Sequence, residues 1–231
     1  MIKIEALKKQ YKDVVVLDVE GLHIPKTECF GLVGNNGAGK TTLFRIILDL
    51  VRSTSGVVFI DGADVSKDEG WKSKVGAYLD EHMLLSYLTP DEYFETLRKI
   101  YGLSEADIDL HLEKFRELFN DEIMGKKKYI RDLSKGNLKK VGIAAAMLGN
   151  PEIVMLDEPF ENLDPSSQIR LKKLILQEKE VSQTTFLISS HDLNHVTDIC
   201  ERIVLLEKGK IIKDLREKEL MVEELNTYFG T

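Results

Sequence analysis

The chain reads as an α/β fold in which a core of buried parallel strands is interrupted by a block of helices. Three observations predict it. The strand-like run Cys29-Phe30-Gly31-Leu32-Val33 passes through a glycine-rich loop into the helical pattern Leu43–Leu48. Short apolar runs at Ile153–Leu156, Thr185–Ser189 and Ile203–Leu206 are of the kind a parallel sheet buries on both faces. Between these halves, about 88–149 carries successive helix-start signals. With 231 residues the chain suffices for one large domain, 1–231, with a well-buried core. That core is expected in about 1–87 and 150–215, the helical portion in about 88–149, and one amphipathic C-terminal helix over 216–231.

In chain order, Ile2–Leu7 alternates in polarity, Val14–Val19 is β-branched, and Gly21–Ile24 leads through Pro25 to the strand before the glycine loop. Gly56–Ile60 followed by Asp61-Gly62 predicts a strand ending in a tight turn, and Val75–Leu79 another short strand. Thr89-Pro90-Asp91-Glu92 opens the helical block: Thr89 caps, Pro90 takes the first position and Glu92 closes a capping box. Ser104 with Asp107 predicts a second helix running to about Asn120. Ser134 caps a third, which carries Val141–Leu148 and stops near Gly149-Asn150-Pro151. Later helices open at Pro165 and Asp192, between the apolar strands, and Glu207-Lys208-Gly209-Lys210 predicts a hairpin turn.

The glycine loop is Gly34-Asn35-Asn36-Gly37-Ala38-Gly39-Lys40-Thr41-Thr42, in the order G-x-x-x-x-G-K-[ST] and in the strand–loop–helix setting that this phosphate-binding motif requires. Its glycines let successive backbone N–H groups converge on one oxyanion, and the following helix adds its positive dipole end. Lys40 supplies a mobile charge for the β- and γ-phosphates, and the Thr41 hydroxyl suits Mg²⁺. The loop predicts binding of a nucleoside triphosphate.

Composition narrows the partners. A formal net charge of −7 argues against a general nucleic-acid surface. The short basic runs Lys126-Lys127-Lys128 and Lys139-Lys140 read as solvated faces. Two cysteines, Cys29 and Cys200, are expected to stay reduced in a cytosolic protein. No apolar run approaches the ~18 residues of a membrane span, and Met1-Ile2-Lys3-Ile4-Glu5 lacks signal-peptide character, so work at a membrane needs a partner.

Ile153-Val154-Met155-Leu156 delivers the acids Asp157 and Glu158 at a strand tip, where α/β sheets bind ligands. Asp157 would hold the Mg²⁺ shell, and Glu158 would polarise an attacking water as general base. With the glycine loop and further short motifs in this order, the chain resembles the ATP-binding cassette (ABC) ATPases from about Ile2 to Asp214. Leu133-Ser134-Lys135-Gly136-Asn137 stands at the family's signature, usually Leu-Ser-Gly-Gly-Gln, and by itself is also an N-capped helix start. Asn162-Leu163-Asp164 matches the D-loop, Ser189-Ser190-His191-Asp192 the switch region, and Tyr11 the aromatic that stacks on adenine.

The resemblance implies a P-loop NTPase fold, with a RecA-like parallel-sheet core, an N-terminal antiparallel β subdomain and an inserted α-helical subdomain. It implies ATP and Mg²⁺ as cofactors, with Ser134, Gly136 and Asp164 of one subunit facing nucleotide bound to another. His191 would contact the γ-phosphate and orient the catalytic glutamate. Two departures stand out. Asp80 takes the place of the Q-loop glutamine as a metal-side residue, with Glu81 as its neighbour and competitor. Lys135 and Asn137 replace Gly and Gln in the signature.

An acid at the Q position with Leu-Ser-Lys-Gly is similar to subunits serving ABC-2-type exporters. The expectation is therefore an ATPase subunit that dimerises around two MgATP and drives a separate membrane permease, on the inner face of the cell membrane. Met83–Leu88 falls where the family forms the permease groove, though core of the helical block accounts for it equally. A soluble ABC ATPase in an assembly role and a small-molecule P-loop kinase are the alternatives.

Overall fold

The structure is a computed structural model, and it describes residues 1–216 and Met221. The C-terminal helix expected over 216–231 therefore falls almost wholly outside the described residues. In chain order the elements are β1 (Ile2–Tyr11), β2 (Val14–Ile24), β3 (Cys29–Val33), α1 (Lys40–Ile47), β4 (Ser55–Ile60), β5 (Ala63–Asp64) and β6 (Val75–Tyr78). The helical block follows as α2 (Pro90–Tyr101), α3 (Glu105–Lys114), α4 (Arg116–Phe119) and α5 (Lys135–Ala146). Then come β7 (Ile153–Leu156), α6 (Pro165–Ser182), β8 (Thr185–Ser190), α7 (Leu193–Thr197), β9 (Arg202–Glu207) and β10 (Lys210–Leu215).

Two sheets result. An antiparallel sheet has the order β2-β1-β4-β5, and a six-stranded sheet the order β10-β9-β3-β8-β7-β6. Strands β9, β3, β8, β7 and β6 are mutually parallel, and β10 returns antiparallel. The parallel strands are largely apolar because both their faces are covered. Cys29, Val33, Val154, Leu156, Phe186, Ile188, Ile203 and Leu205 point into one core with the helical block, α6 and α7. The alternate residues Phe30, Leu32, Ile153, Met155, Leu187, Val204 and Leu206 join α1 and the antiparallel sheet in a second core. The period-two alternation of β3, β7, β8 and β9 thus splits one apolar run between two cores. Cys29 and Cys200 are both buried and free, with their Sγ atoms 3.6 Å apart.

The cap chemistry read from the sequence is present. Thr89 and Glu92 form a capping box with Pro90 in the first turn, and Ser134 accepts from Asn137 N. Asp61-Gly62 and Lys208-Gly209 hold positive φ at the two hairpin turns. The helix expected from Ser104 to about Asn120 is instead two helices, α3 and α4, broken at Phe115 and closed by Asn120 in the left-handed region. Burial explains the break, since Phe115 is fully buried and stacks on Phe119 at 5.8 Å, which turns the chain onto the core.

One close approach sets the helical block against the sheet. A Cβ added to Gly142 of α5 would lie 2.1 Å from the buried Tyr78 ring, so helix and strand meet where only glycine fits. Gly142→Ala gains helix propensity but overpacks this contact, and about 2 kcal/mol of stability should be lost. Thermal unfolding should show Tm lower by roughly 4–8 °C. An unchanged Tm would show that α5 shifts freely on the sheet.

Candidate ATP-binding and hydrolysis site

Parallel pairing brings the ends of β3, β8 and β7 to one edge, with Val33 opposite Ser190 and Leu156 opposite Ile188. The glycine loop leaves β3 here, the acid pair leaves β7, and the histidine segment leaves β8. The loop is clamped by the β9–β10 turn, where Gly209 N donates to Ala38 O at 2.9 Å. A Cβ on Gly34 would come 2.3 Å from Leu206 O, and Gly39 sits at φ 110°. Both positions need glycine for the loop to curl against this hairpin.

Helix α1 starts at Lys40 with no side chain capping its first turn, which leaves its N–H groups to an anion. Lys40 is buried, and its Nζ donates to Gly34 O at 2.6 Å and pairs with Glu158 Oε1 at 3.2 Å. The amine is therefore held inside the loop, ready for phosphate oxygens. Thr41 Oγ1 donates to Asp157 Oδ2, and Ser189 Oγ donates to Asp157 Oδ1. Burial pushes the Asp157 carboxyl up from its ordinary range, while these two hydroxyls oppose the shift.

Glu158 occupies φ 47°, in the left-handed region, a conformation the surroundings must impose on a non-glycine residue. Its N–H donates to Ser189 Oγ at 2.9 Å, and its backbone carbonyl accepts from the Lys139 amine. Its side-chain Oε2 lies 2.9 Å from His191 Nδ1 and accepts from His191 N at 3.2 Å. With the carboxylate ionised, the imidazole proton sits on Nδ1. The other oxygen, Oε1, is buried and faces the Lys40 amine at 3.2 Å.

The donor set fits MgATP. Thr41 and Asp157 offer hard oxygens, and among the described residues no three His, Cys, Asp or Glu side chains form a metal cage. Mg²⁺ usually binds through one or two protein oxygens and substrate phosphates, in keeping with such a pair.

The remaining residues named from the sequence fall in three places. Asp80 caps a short turn by accepting from His82 N at 2.9 Å, and its Oδ2 pairs with Arg45 of α1 at 3.0 Å. It lines a cleft of about 380 Å³ together with Glu81, Lys139, Asp157 and Glu158. Tyr11 is exposed at the tip of the β1–β2 hairpin, its ring 4.5 Å from Lys9 Nζ. The same hairpin reaches the glycine loop, where Val16 O would lie 3.0 Å from a Cβ on Gly39.

Ser134, Gly136 and Asp164 form a third group. A Cβ on Gly136 would meet Asn162 O at 2.8 Å, so the signature helix rests on the D-loop. Asp164 caps α6, and donors from Ser166 and Ser167 hold its carboxyl well below the usual carboxylate range.

Two features were missed in the sequence. Lys139 and Lys140, read as a solvated face, are both buried, because α5 packs between the sheet and the other helices. Ser189, which the motif names without a role, holds both Asp157 and the Glu158 N–H. Only the pairing of β8 beside β7 reveals this. Ser189→Ala should leave a buried Asp157 oxygen unpaired, a loss of about 1.5–3 kcal/mol for a hydrogen bond to a charged group. ATP turnover should fall by about tenfold or more in a phosphate-release assay, and undiminished turnover would remove Ser189 from the machinery.

Comparison with known proteins agrees with this geometry. A family model described as ABC transporter matches residues 17–161. The uncharacterized ABC transporter ATP-binding protein YhaQ of Bacillus subtilis is 34% identical over 220 residues, covering 95% of this chain and 72% of the relative. The bacitracin transport ATP-binding protein BcrA of Enterococcus faecalis is 32% identical over 226 residues, covering 95% and 70%. Among solved structures, an ATP-binding subunit of an ABC transporter superposes with a TM-score of 0.84 at 27% identity, covering 100% of this chain and 93% of that one. With its P-loop, acid pair and switch histidine gathered at one sheet edge, the chain belongs to the ABC transporter family as an ATP-binding, ATP-hydrolysing cassette.

Proposed function

We propose that this cassette closes with a second cassette around two MgATP and powers a separate membrane permease in the export direction. The observation that carries the reading is the exposed N-terminus of α5. Ser134 Oγ is engaged by Asn137 N alone, and Lys135 is exposed. Among the described residues no hydrogen bond or ion pair joins this helix start to the chain's own 34–42 loop. An anion-suited helix start with no phosphate site of its own is accounted for by a partner's nucleotide.

Among the described residues no helix is long and apolar enough to cross a membrane, and in this reading the permease is a partner. That would place the cassette on the inner face of the cell membrane. The export direction is supported by the acid at position 80 and the Leu-Ser-Lys-Gly signature. Met83 and Tyr87, exposed beside the helical block, are the apolar side chains a permease would cover.

In the proposed cycle the 34–39 loop and α1 bind the phosphates, Lys40 neutralises them, and Tyr11 stacks on the base. Mg²⁺, held by Thr41 and Asp157, would stabilise the charge that develops on the phosphates. Asp80, here paired with Arg45, would serve the metal side. Glu158 orients water through Oε1 and takes its proton, and His191 holds Glu158 and the γ-phosphate side in register. Ser134, Gly136 and Asp164 contribute to the partner's nucleotide.

Glu158→Gln keeps the shape and removes the proton acceptor, so hydrolysis should fall by about 10² or more, and ATP should trap a dimer visible by light scattering. Turnover at the wild-type rate would sink the assignment of Glu158. Shared sites are tested by mixing Ser134→Arg with Lys40→Ala subunits, which leaves one composite site intact. ATPase activity should return in the mixture, whereas full activity in monomeric Ser134→Arg would contradict the sandwich.

A further inference from the structure

We propose that Lys139 is a positioning residue for hydrolysis, tying the signature helix of a subunit to the catalytic glutamate of that same subunit. The proposal rests on the reading of Glu158 as the base. Lys139 lies just over one turn after Ser134 on α5, and its stem is buried against the core. Its Nζ crosses to the acid-pair loop, donates to Glu158 O at 2.5 Å and lies 3.8 Å from Glu161 Oε2. It is a charged donor aimed at a backbone carbonyl, which is a strong hydrogen bond when partly buried.

The place of this bond matters more than its strength. Glu158 is held at φ 47°, and its peptide groups are fixed on both sides. Ser189 Oγ accepts from the N–H, while Lys139 and Glu161 N donate to the carbonyl. These contacts aim the side chain between Lys40 and His191. Ser189 belongs to the sheet, but Lys139 belongs to the helical block. The orientation of Glu158 thus depends on where α5 sits, and α5 is the element whose N-terminus would face a partner's nucleotide. A displacement of α5 carries the Lys139 amine with it and loosens the carbonyl. Misplacement of a catalytic group by about 1 Å suffices for a 10²-fold loss.

The test compares Lys139→Met, which keeps length and removes the donor, with Lys139→Arg, which restores a charged donor. Lys139→Met should lower kcat by about 10- to 100-fold while the KM for ATP and the affinity for a fluorescent ATP analogue stay within about twofold. Lys139→Arg should recover most of the rate. Independently of turnover, amide hydrogen exchange of nucleotide-free protein should speed up within 158–163 in Lys139→Met and remain slow elsewhere. Unchanged kcat in Lys139→Met overturns the proposal, as does a rate loss matched by an equal loss of affinity or by exchange rising across the whole chain. Glu158→Gln run alongside separates the two claims: an active Glu158→Gln defeats the reading of the base, whereas an inactive one beside a fully active Lys139→Met defeats only the role of Lys139.

Discussion

The site depends on the parallel register of β3, β8 and β7. Each strand contributes one loop of the site, and the three loops come together because the strands end level with their neighbours. The register is enforced from both faces, because alternate residues of each strand belong to different cores. A slip of one residue would exchange the two sets, sending Phe30 and Leu32 toward the helices and Cys29 and Val33 toward α1. The cost of that exchange across three strands protects the alignment of Lys40, Asp157, Glu158, Ser189 and His191.

On that frame sit four buried or half-buried charges, Lys40, Lys139, Asp157 and Glu158. Lys40 and Lys139 bracket Glu158, and hydroxyls from Thr41 and Ser189 hold Asp157. Burying any one of these alone would cost several kcal/mol, whereas each here has a partner or a polar contact. The arrangement also places reactants in competition. In the proposed cycle, phosphate oxygens entering the 34–39 loop would compete with Gly34 O and Glu158 Oε1 for the Lys40 amine. Binding in that cycle would draw the lysine toward phosphate and free Oε1 of Glu158, so that capture of substrate and exposure of the base would be one rearrangement.

Much of this was legible in the sequence because local chemistry dictated it. The glycine loop, the acids at a strand tip, the caps at Thr89, Ser104 and Ser134, and the two glycine turns are each decided within a few residues. What was not legible depends on packing between distant segments. Lys139-Lys140 looks like any solvated basic pair until α5 is seen pressed onto β6. The break at Phe115 is decided by the core it enters and not by a breaker residue. Asp80 could be placed by spacing at the loop after β6, but its pairing with Arg45 comes from α1, which lies elsewhere in the sequence.

The contact between Gly136 and Asn162 joins these two kinds of information. Gly136 is a short-range feature, a small residue at a capped helix start, yet its reason is long-range, since any side chain would strike the Asn162 carbonyl. Asn162 itself takes φ 62° to present that carbonyl, a conformation asparagine tolerates better than most residues. The D-loop continues into Asp164 and α6 on one side, and runs back through Glu161 to Glu158 on the other. The surface that would meet a partner and the residue that would cleave ATP are therefore four to six residues apart along one braced segment. Packed segments of this kind switch between discrete arrangements and do not deform continuously. On the proposed reading, a cassette built this way would register its partner's nucleotide as a change in the placement of its own base.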